Sequence, residues 1–345
     1  MGLFGGKAPE LSIQLERADG VYYAGETVRA RVNVAAEDGA KFREIRAGLL
    51  LEEKYQRIER HRDSDGDISH NHVWRTTEHW AAREQLAASE VSKGFRQAYD
   101  FEWRVPDAPN PTCQGKIVAA RWLVKATVDR KLARDVNAEA PLYVVAPSPA
   151  HATPGGQFSQ ENSAPDVVMM RFELPRIEYV QGENVAGRLH VEPRQDLSPR
   201  AVRVSLQRRE VVPGGDRTNV ETVVEAQHDY AAQLSAGRPA SFDFNFAVPA
   251  QWCPSYQSAN AHVEWRVEAT LDLTLKRDIH AWQALRVYNG AARFGQAPQE
   301  THVAQAQTPV EMPAMPAPDF CRNCGGALAP GALFCGNCGS QVARG

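Results

Sequence analysis

A chain of 345 residues is long enough for two domains with separate cores, and a formal net charge of −3, with Lys and Arg spread throughout, supplies no long-range field for nucleic acid or an anionic membrane. No segment approaches the ~20 apolar residues that span a bilayer, and Met1-Gly2-Leu3-Phe4-Gly5-Gly6-Lys7 lacks an apolar run of signal-peptide length. The expectation is a cytoplasmic protein for which only peripheral membrane association stays open, and Gly6 stands where a myristoylation motif needs Ser or Thr.

In chain order, Leu11, Ile13 and Leu15 alternate with polar residues and predict a strand. Asp19-Gly20 and Ala24-Gly25 supply turns before a second strand from Thr27 to Val34. The pattern then recurs: Tyr22, Gly25, Glu26, Val28, Arg31 and Val34 fall on Tyr179, Gly182, Glu183, Val185, Arg188 and Val191, a spacing of 157 residues. The same register carries Arg43, Ile45, Arg46, Leu49 and Glu53 onto Arg200, Val202, Arg203, Leu206 and Glu210.

Further on, Tyr99–Val144 matches Phe242–Val287 without a gap at 17 of 46 positions, now 143 residues apart, so the first copy holds fourteen extra residues. Trp122, Val124, Ala126 and Val128 alternate with polar residues, as do Trp265, Val267, Ala269 and Leu271, which predicts one strand with a dry face in each copy and makes both tryptophans core anchors. Leu123 is the exception to the alternation. The chain is therefore two copies of one domain, 9–146 and 166–288, each with about seven short strands, turn signals between them and no amphipathic helix. That pattern predicts an all-β protein built as two tandem β-sandwiches.

The extra residues fall near 59–80, where His61, His70, His72 and His79 gather with Asp63, Asp65 and Asp67. Asp63-Ser64-Asp65-Gly66-Asp67 resembles the start of a calcium loop, but Trp74 stands where the twelfth-position Glu belongs. His70 and His72 share a strand face, a spacing that suits a metal, and an enzyme using the His61–His79 cluster is one alternative reading. The reading taken is a long hairpin with a solvated Asp/Ser/Gly tip and the two histidines on its outer face.

Residues 147–165 turn to Pro, Ser, Gly, Gln and Ala and read as a linker, and 289–318, with five prolines among Ala and Gln, reads as a flexible tether. The tail, 319–342, carries Cys321-Arg322-Asn323-Cys324-Gly325 and Cys335-Gly336-Asn337-Cys338-Gly339. Four thiolates in this spacing match a tetrahedral, structural Zn2+ site with no open position for catalysis, and Gly325 and Gly339 permit the tight turns of two knuckles. Cys113 and Cys253 occupy non-equivalent places in the duplicated block and read as ordinary buried or loop thiols.

An early strand, a turn, Gly25-Glu26-Thr27-Val28 or Gly182-Glu183-Asn184-Val185 at the next strand, and an aromatic strand ending Val105-Pro106 or Val248-Pro249 ahead of a Trp-bearing strand together resemble the arrestin family. The pattern is also similar to the bacterial sporulation-control arrestin-like proteins and to the arrestin-shaped retromer subunit. The likeness runs from about Leu11 to Val287, and the tail separately resembles short bacterial zinc ribbons. It implies two tandem arrestin-like sandwiches plus a C-terminal zinc ribbon, in a binding scaffold or adaptor for protein partners. No phosphate sensor or charged interdomain switch falls on particular residues of the sequence.

Enzyme motifs are missing: there is no Gly-x-Ser-x-Gly elbow, phosphate-cradling glycine loop or His-Glu-x-x-His. The expectation is a non-enzymatic protein. A nucleic-acid-binding regulator acting through the ribbon is the other alternative, and no nucleic acid is expected, because beyond Asn289 the only basic residues are Arg293, Arg322 and Arg344.

Overall fold

The structure is a computed structural model, and it describes residues 8–290 apart from 39, 63–66, 131–132, 147–153, 159–160, 215–216 and 251–252. The first half contains β1 (Glu10–Leu15), β2 (Val21–Tyr23), β3 (Thr27–Ala36), β4 (Ala40–Arg62), β5 (Ile68–Val91), β6 (Phe95–Arg104), β7 (Cys113–Gln114), β8 (Val118–Arg130) and β9 (Val136–Val145). The second contains β10 (Pro154–Phe158), β11 (Glu161–Asn162), β12 (Val168–Arg176), β13 (Glu178–Val180), β14 (Asn184–Pro193), β15 (Pro199–Val212), β16 (Asn219–Tyr230), β17 (Ala240–Ala247), β18 (Tyr256–Gln257), β19 (His262–Leu273) and β20 (Ile279–Tyr288). Each half pairs a small sheet with a large one: β1-β3-β6 with β2-β9-β8-β4-β5, and β10-β12-β14-β17 with β11-β20-β19-β15-β16.

The alternation read from the sequence sets these layers. Val28, Ala30, Val32 and Val34 of β3 face Trp122, Val124, Ala126 and Val128 of β8 in one core, while Leu189 and Val191 of β14 join Trp265, Val267, Ala269 and Leu271 of β19 in the other. Trp122 is 3 % exposed and Trp265 1 %, so both indoles are the anchors expected, and the exceptional Leu123 is buried too, paired with Leu50 of β4. Burying such a side chain stabilises a fold by about 1.5–3 kcal/mol.

The duplicated polar residues turn out to be structural ties. Gly25 and Gly182 adopt positive φ (77° and 88°), which glycine accepts without strain. That turn lets the following glutamate accept the amide of Tyr23 (3.0 Å) or Val180 (2.7 Å), closing the loop on itself. The Gly25 amide donates to Val105 O and the Gly182 amide to Val248 O, which pins each turn to the Val-Pro strand end. Arg31–Asp100 and Arg188–Asp243 are equivalent cross-strand ion pairs, and both are exposed. The sequence repeats therefore record one domain's internal wiring, written twice.

One segment differs from expectation and one follows it. Seven residues of the stretch read as a linker are built into the second sandwich, because β10 pairs with the edge of β12 and β11 with β20. The fourteen extra residues lengthen one hairpin, as the sequence leads one to expect: β4 and β5 continue beyond the sheet and pair with each other as far as Arg62 and Ile68. Among the described residues no helix is long and apolar enough to cross a membrane.

Candidate functional site

Both sandwiches belong to one compact body, and the residues that join them come from matching places in the two copies. Glu53 on β4 and Glu210 on β15, equivalent in sequence, are each 0 % exposed, and each reaches out of its own sheet into the other sandwich. Glu210 accepts the backbone amides of Lys116 (2.9 Å), Ile117 (2.7 Å) and Val118 (3.0 Å). Glu53 accepts Tyr256 Oη (2.9 Å), Asn260 Nδ2 (2.8 Å) and the Ser258 hydroxyl. The receiving loops, just before β8 and β19, are also equivalents. The junction is thus a reciprocal clamp in which each half's buried carboxylate organises the other half's loop.

Burying two carboxylates is costly unless each is fully hydrogen-bonded, and charge-assisted bonds of this kind are among the stronger available. Arg208, 4 % exposed, adds its guanidinium to Glu210 and to Glu225 (2.9 Å). Burial opposes its charge, but Cys253, Glu225 and Glu210 outweigh that cost and hold its pKa above the ordinary value. Burial, followed by the Glu53 carboxylate, pushes the Tyr256 hydroxyl well up, so it stays protonated as a donor. Asn289, 3 % exposed, completes the contact by donating to Val144 O (2.9 Å) and Tyr143 Oη (3.0 Å) while accepting from Ala146 N (3.1 Å).

Gly115 explains how Glu210 gets so close to the loop. A Cβ there would lie 2.3 Å from Glu210 Oε2, an overlap that would force the carboxylate away from the three amides. Gly115→Ala is expected to cost about 1–3 kcal/mol through unsatisfied buried groups. A thermal melt checks it, and an unchanged melting temperature would show that the carboxylate is not held there.

Apolar contact runs through the same junction, since Val212, Cys253, Tyr256, Ala261 and Val263 of the second half are part of the first half's core cluster. Cys113 and Cys253 bring their sulfurs to 3.3 Å of each other. Beside them opens a groove of about 570 Å³, lined by Asn110 and Pro111 from the first sandwich and by Tyr256, Arg266, Trp282 and Tyr288 from the second. The Arg266 guanidinium, paired with Glu268, lies over Trp282 and that of Arg286 over Tyr288, and Glu264 stands in the same lining.

The histidines singled out in the sequence do not converge. His70 pairs with Arg60 and His72 with Ile58 on one face of the long hairpin, whereas His61 pairs with Ser69 on the other. His79, on that second face, is ten residues along β5 from Ser69 and lies 3.4 Å from Glu53. Among the described residues no group of three or more His, Cys, Asp or Glu could hold a metal ion. Asp63 and Asp65, and the tail cysteines Cys321, Cys324, Cys335 and Cys338, lie outside the described residues.

The charged junction is what sequence reasoning missed. The signal was present in the repeat of Glu53 at Glu210, but the same repeat also marks intradomain ties, and nothing local separates a glutamate that reaches across from one that does not. Compared with known families, residues 11–149 match the model described as Arrestin (or S-antigen), N-terminal domain. No curated protein matches the chain. The first half is thus an arrestin-like domain, and the architecture is all-β, with two sandwiches of matching strand order.

Proposed function

We propose that the chain is a non-enzymatic cytoplasmic scaffold of the bacterial sporulation-control arrestin-like type, holding protein partners through its sandwich surfaces and through a tethered zinc ribbon. The observation that carries this reading is the junction. Two sandwiches are fixed in register by buried glutamates, with a groove lined by aromatic and charged side chains left open between them. Their buried charged groups are spent on holding the halves together, which is the work of a scaffold.

The tail supplies the second grip in this reading. Cys321, Cys324, Cys335 and Cys338 are proposed to bind one structural zinc ion, and a segment of about twenty residues takes its folding energy from that metal. Zinc removal by a chelator is therefore expected to unfold the tail and leave the sandwiches intact. Elemental analysis beside a thermal melt checks this, and a metal-free protein, or a Cys335→Ser variant whose sandwiches melt early, would contradict it.

A flexible tether of about thirty residues spans roughly 30 Å, so ribbon and sandwiches can hold one assembly at once and raise the effective concentration of the second contact. Capture of partners from the native cell, with residues 320–345 present or deleted, tests the reading. Deletion is expected to lower recovery at least about tenfold while the sandwiches stay folded. Unchanged recovery would reject two-handed binding, and turnover of any substrate by the purified protein would reject the non-enzymatic reading.

A further inference from the structure

Cys113 and Cys253 carry neither of the clamp's carboxylates, and only Cys253 touches its Arg208, yet their sulfurs meet across the junction in a contact that ordinary chemistry could make permanent. Cys113 lies on β7, at the mouth of the loop that Glu210 organises, and Cys253 just before β18, at the mouth of the loop that Glu53 organises. They are 140 residues apart in sequence, 2 % and 0 % exposed, and both are free thiols with their sulfurs 3.3 Å apart. A disulfide has an S–S distance of about 2.05 Å, so the sulfurs need to approach by little more than 1 Å. We propose that Cys113 and Cys253 are an oxidation site, at which a peroxide converts the two thiols into a disulfide that covalently locks the sandwiches to each other.

The surroundings assign the two sulfurs different roles. The Arg208 guanidinium, already paired with Glu210 and Glu225, lies 3.4 Å from Cys253 Sγ, the only one of the two sulfurs with a cationic donor in contact among the described residues, whereas the contact with Cys253 and then burial push the Cys113 thiol well up. Cys253 is therefore the attacking sulfur. It takes one oxygen from hydrogen peroxide to give a sulfenic acid, and the second oxygen leaves as water. Cys113 then attacks that sulfur, its proton and the hydroxyl leave as a second water, and the S–S bond forms. Overall two thiols and one peroxide give one disulfide and two waters. Both sulfurs are covered, so the peroxide enters when the junction opens, and oxidation is slow compared with that of an exposed sensor thiol.

The lock is independent of which partners the scaffold holds, so its failure would leave the binding proposal standing. It closes a loop of about 140 residues in the unfolded chain, and long loops are where a cross-link stabilises most. The test uses the full chain with its six cysteines, incubated with hydrogen peroxide, blocked with a maleimide under denaturing conditions and digested without reductant. The expected result is a cross-linked Cys113–Cys253 peptide as the main form of both residues, with a melting temperature raised by roughly 5 °C or more and restored by dithiothreitol. A Cys253→Ser variant is expected to lose both effects. If that variant fails to fold, the peptide map of the unsubstituted protein still decides. Recovery of both residues as maleimide adducts, with an unchanged melting temperature while the tail cysteines are oxidised, would overturn the proposal.

Discussion

Replacing Glu210 by alanine is expected to cost about 3–5 kcal/mol, the penalty for breaking a buried charged cluster by removing one partner. Three effects coincide at this residue. The amides of Lys116, Ile117 and Val118 lose their acceptor, Arg208 keeps a buried positive charge with only Glu225 against it, and the loop that shapes the groove loses its anchor. Denaturant unfolding measures the cost. Glu210→Gln, which keeps the volume and one acceptor oxygen but puts an NH2 donor where the other oxygen accepts, is expected to recover less than half of it. A loss below about 1 kcal/mol would place the carboxylate among ordinary surface groups.

Truncating either anchor tryptophan is expected to be equally severe, at about 3–5 kcal/mol for Trp122→Ala or Trp265→Ala through lost burial and the cavity left behind. The two indoles are more than packing. Trp122 Nε1 donates to Asn110 O (2.8 Å) and Trp265 Nε1 to Cys253 O (3.0 Å), equivalent carbonyls in equivalent loops. Each anchor therefore also fixes the loop through which its sandwich meets the other. Trp→Phe, which fills most of the volume without that donor, separates the two contributions. A Trp265→Ala protein that unfolds within about 1 kcal/mol of the parent would show that the site collapses around the gap.

The fold was legible because its information is periodic. Trp122, Val124, Ala126 and Val128 announce a half-dry strand at a spacing any window reveals, and the Tyr-x-x-Gly-Glu turn appears twice because the same glutamate closes it twice. The linker was misread in part for the opposite reason. Pro154–Phe158 has no alternating side-chain pattern and joins the sheet through backbone pairing, which composition does not encode. Glu53 and Glu210 were visible as repeats but not as a clamp, since their partners lie 203 and 93 residues away and depend on how two finished domains meet. Cys113 and Cys253 were hidden further, because they are not equivalents: they touch because the loops that bear them face each other across the junction.

The claim that the two sandwiches act as one body through the reciprocal glutamates is tested most directly by thermal unfolding of the full chain followed by tryptophan fluorescence. All seven tryptophans lie between residues 74 and 282, so the signal reports on the sandwiches and is blind to the tail. The parent protein is expected to unfold in a single transition, and the Glu53→Ala/Glu210→Ala double variant in two, as each sandwich melts alone. Two transitions in the parent, or a double variant that still melts once at the parent's temperature, would contradict it.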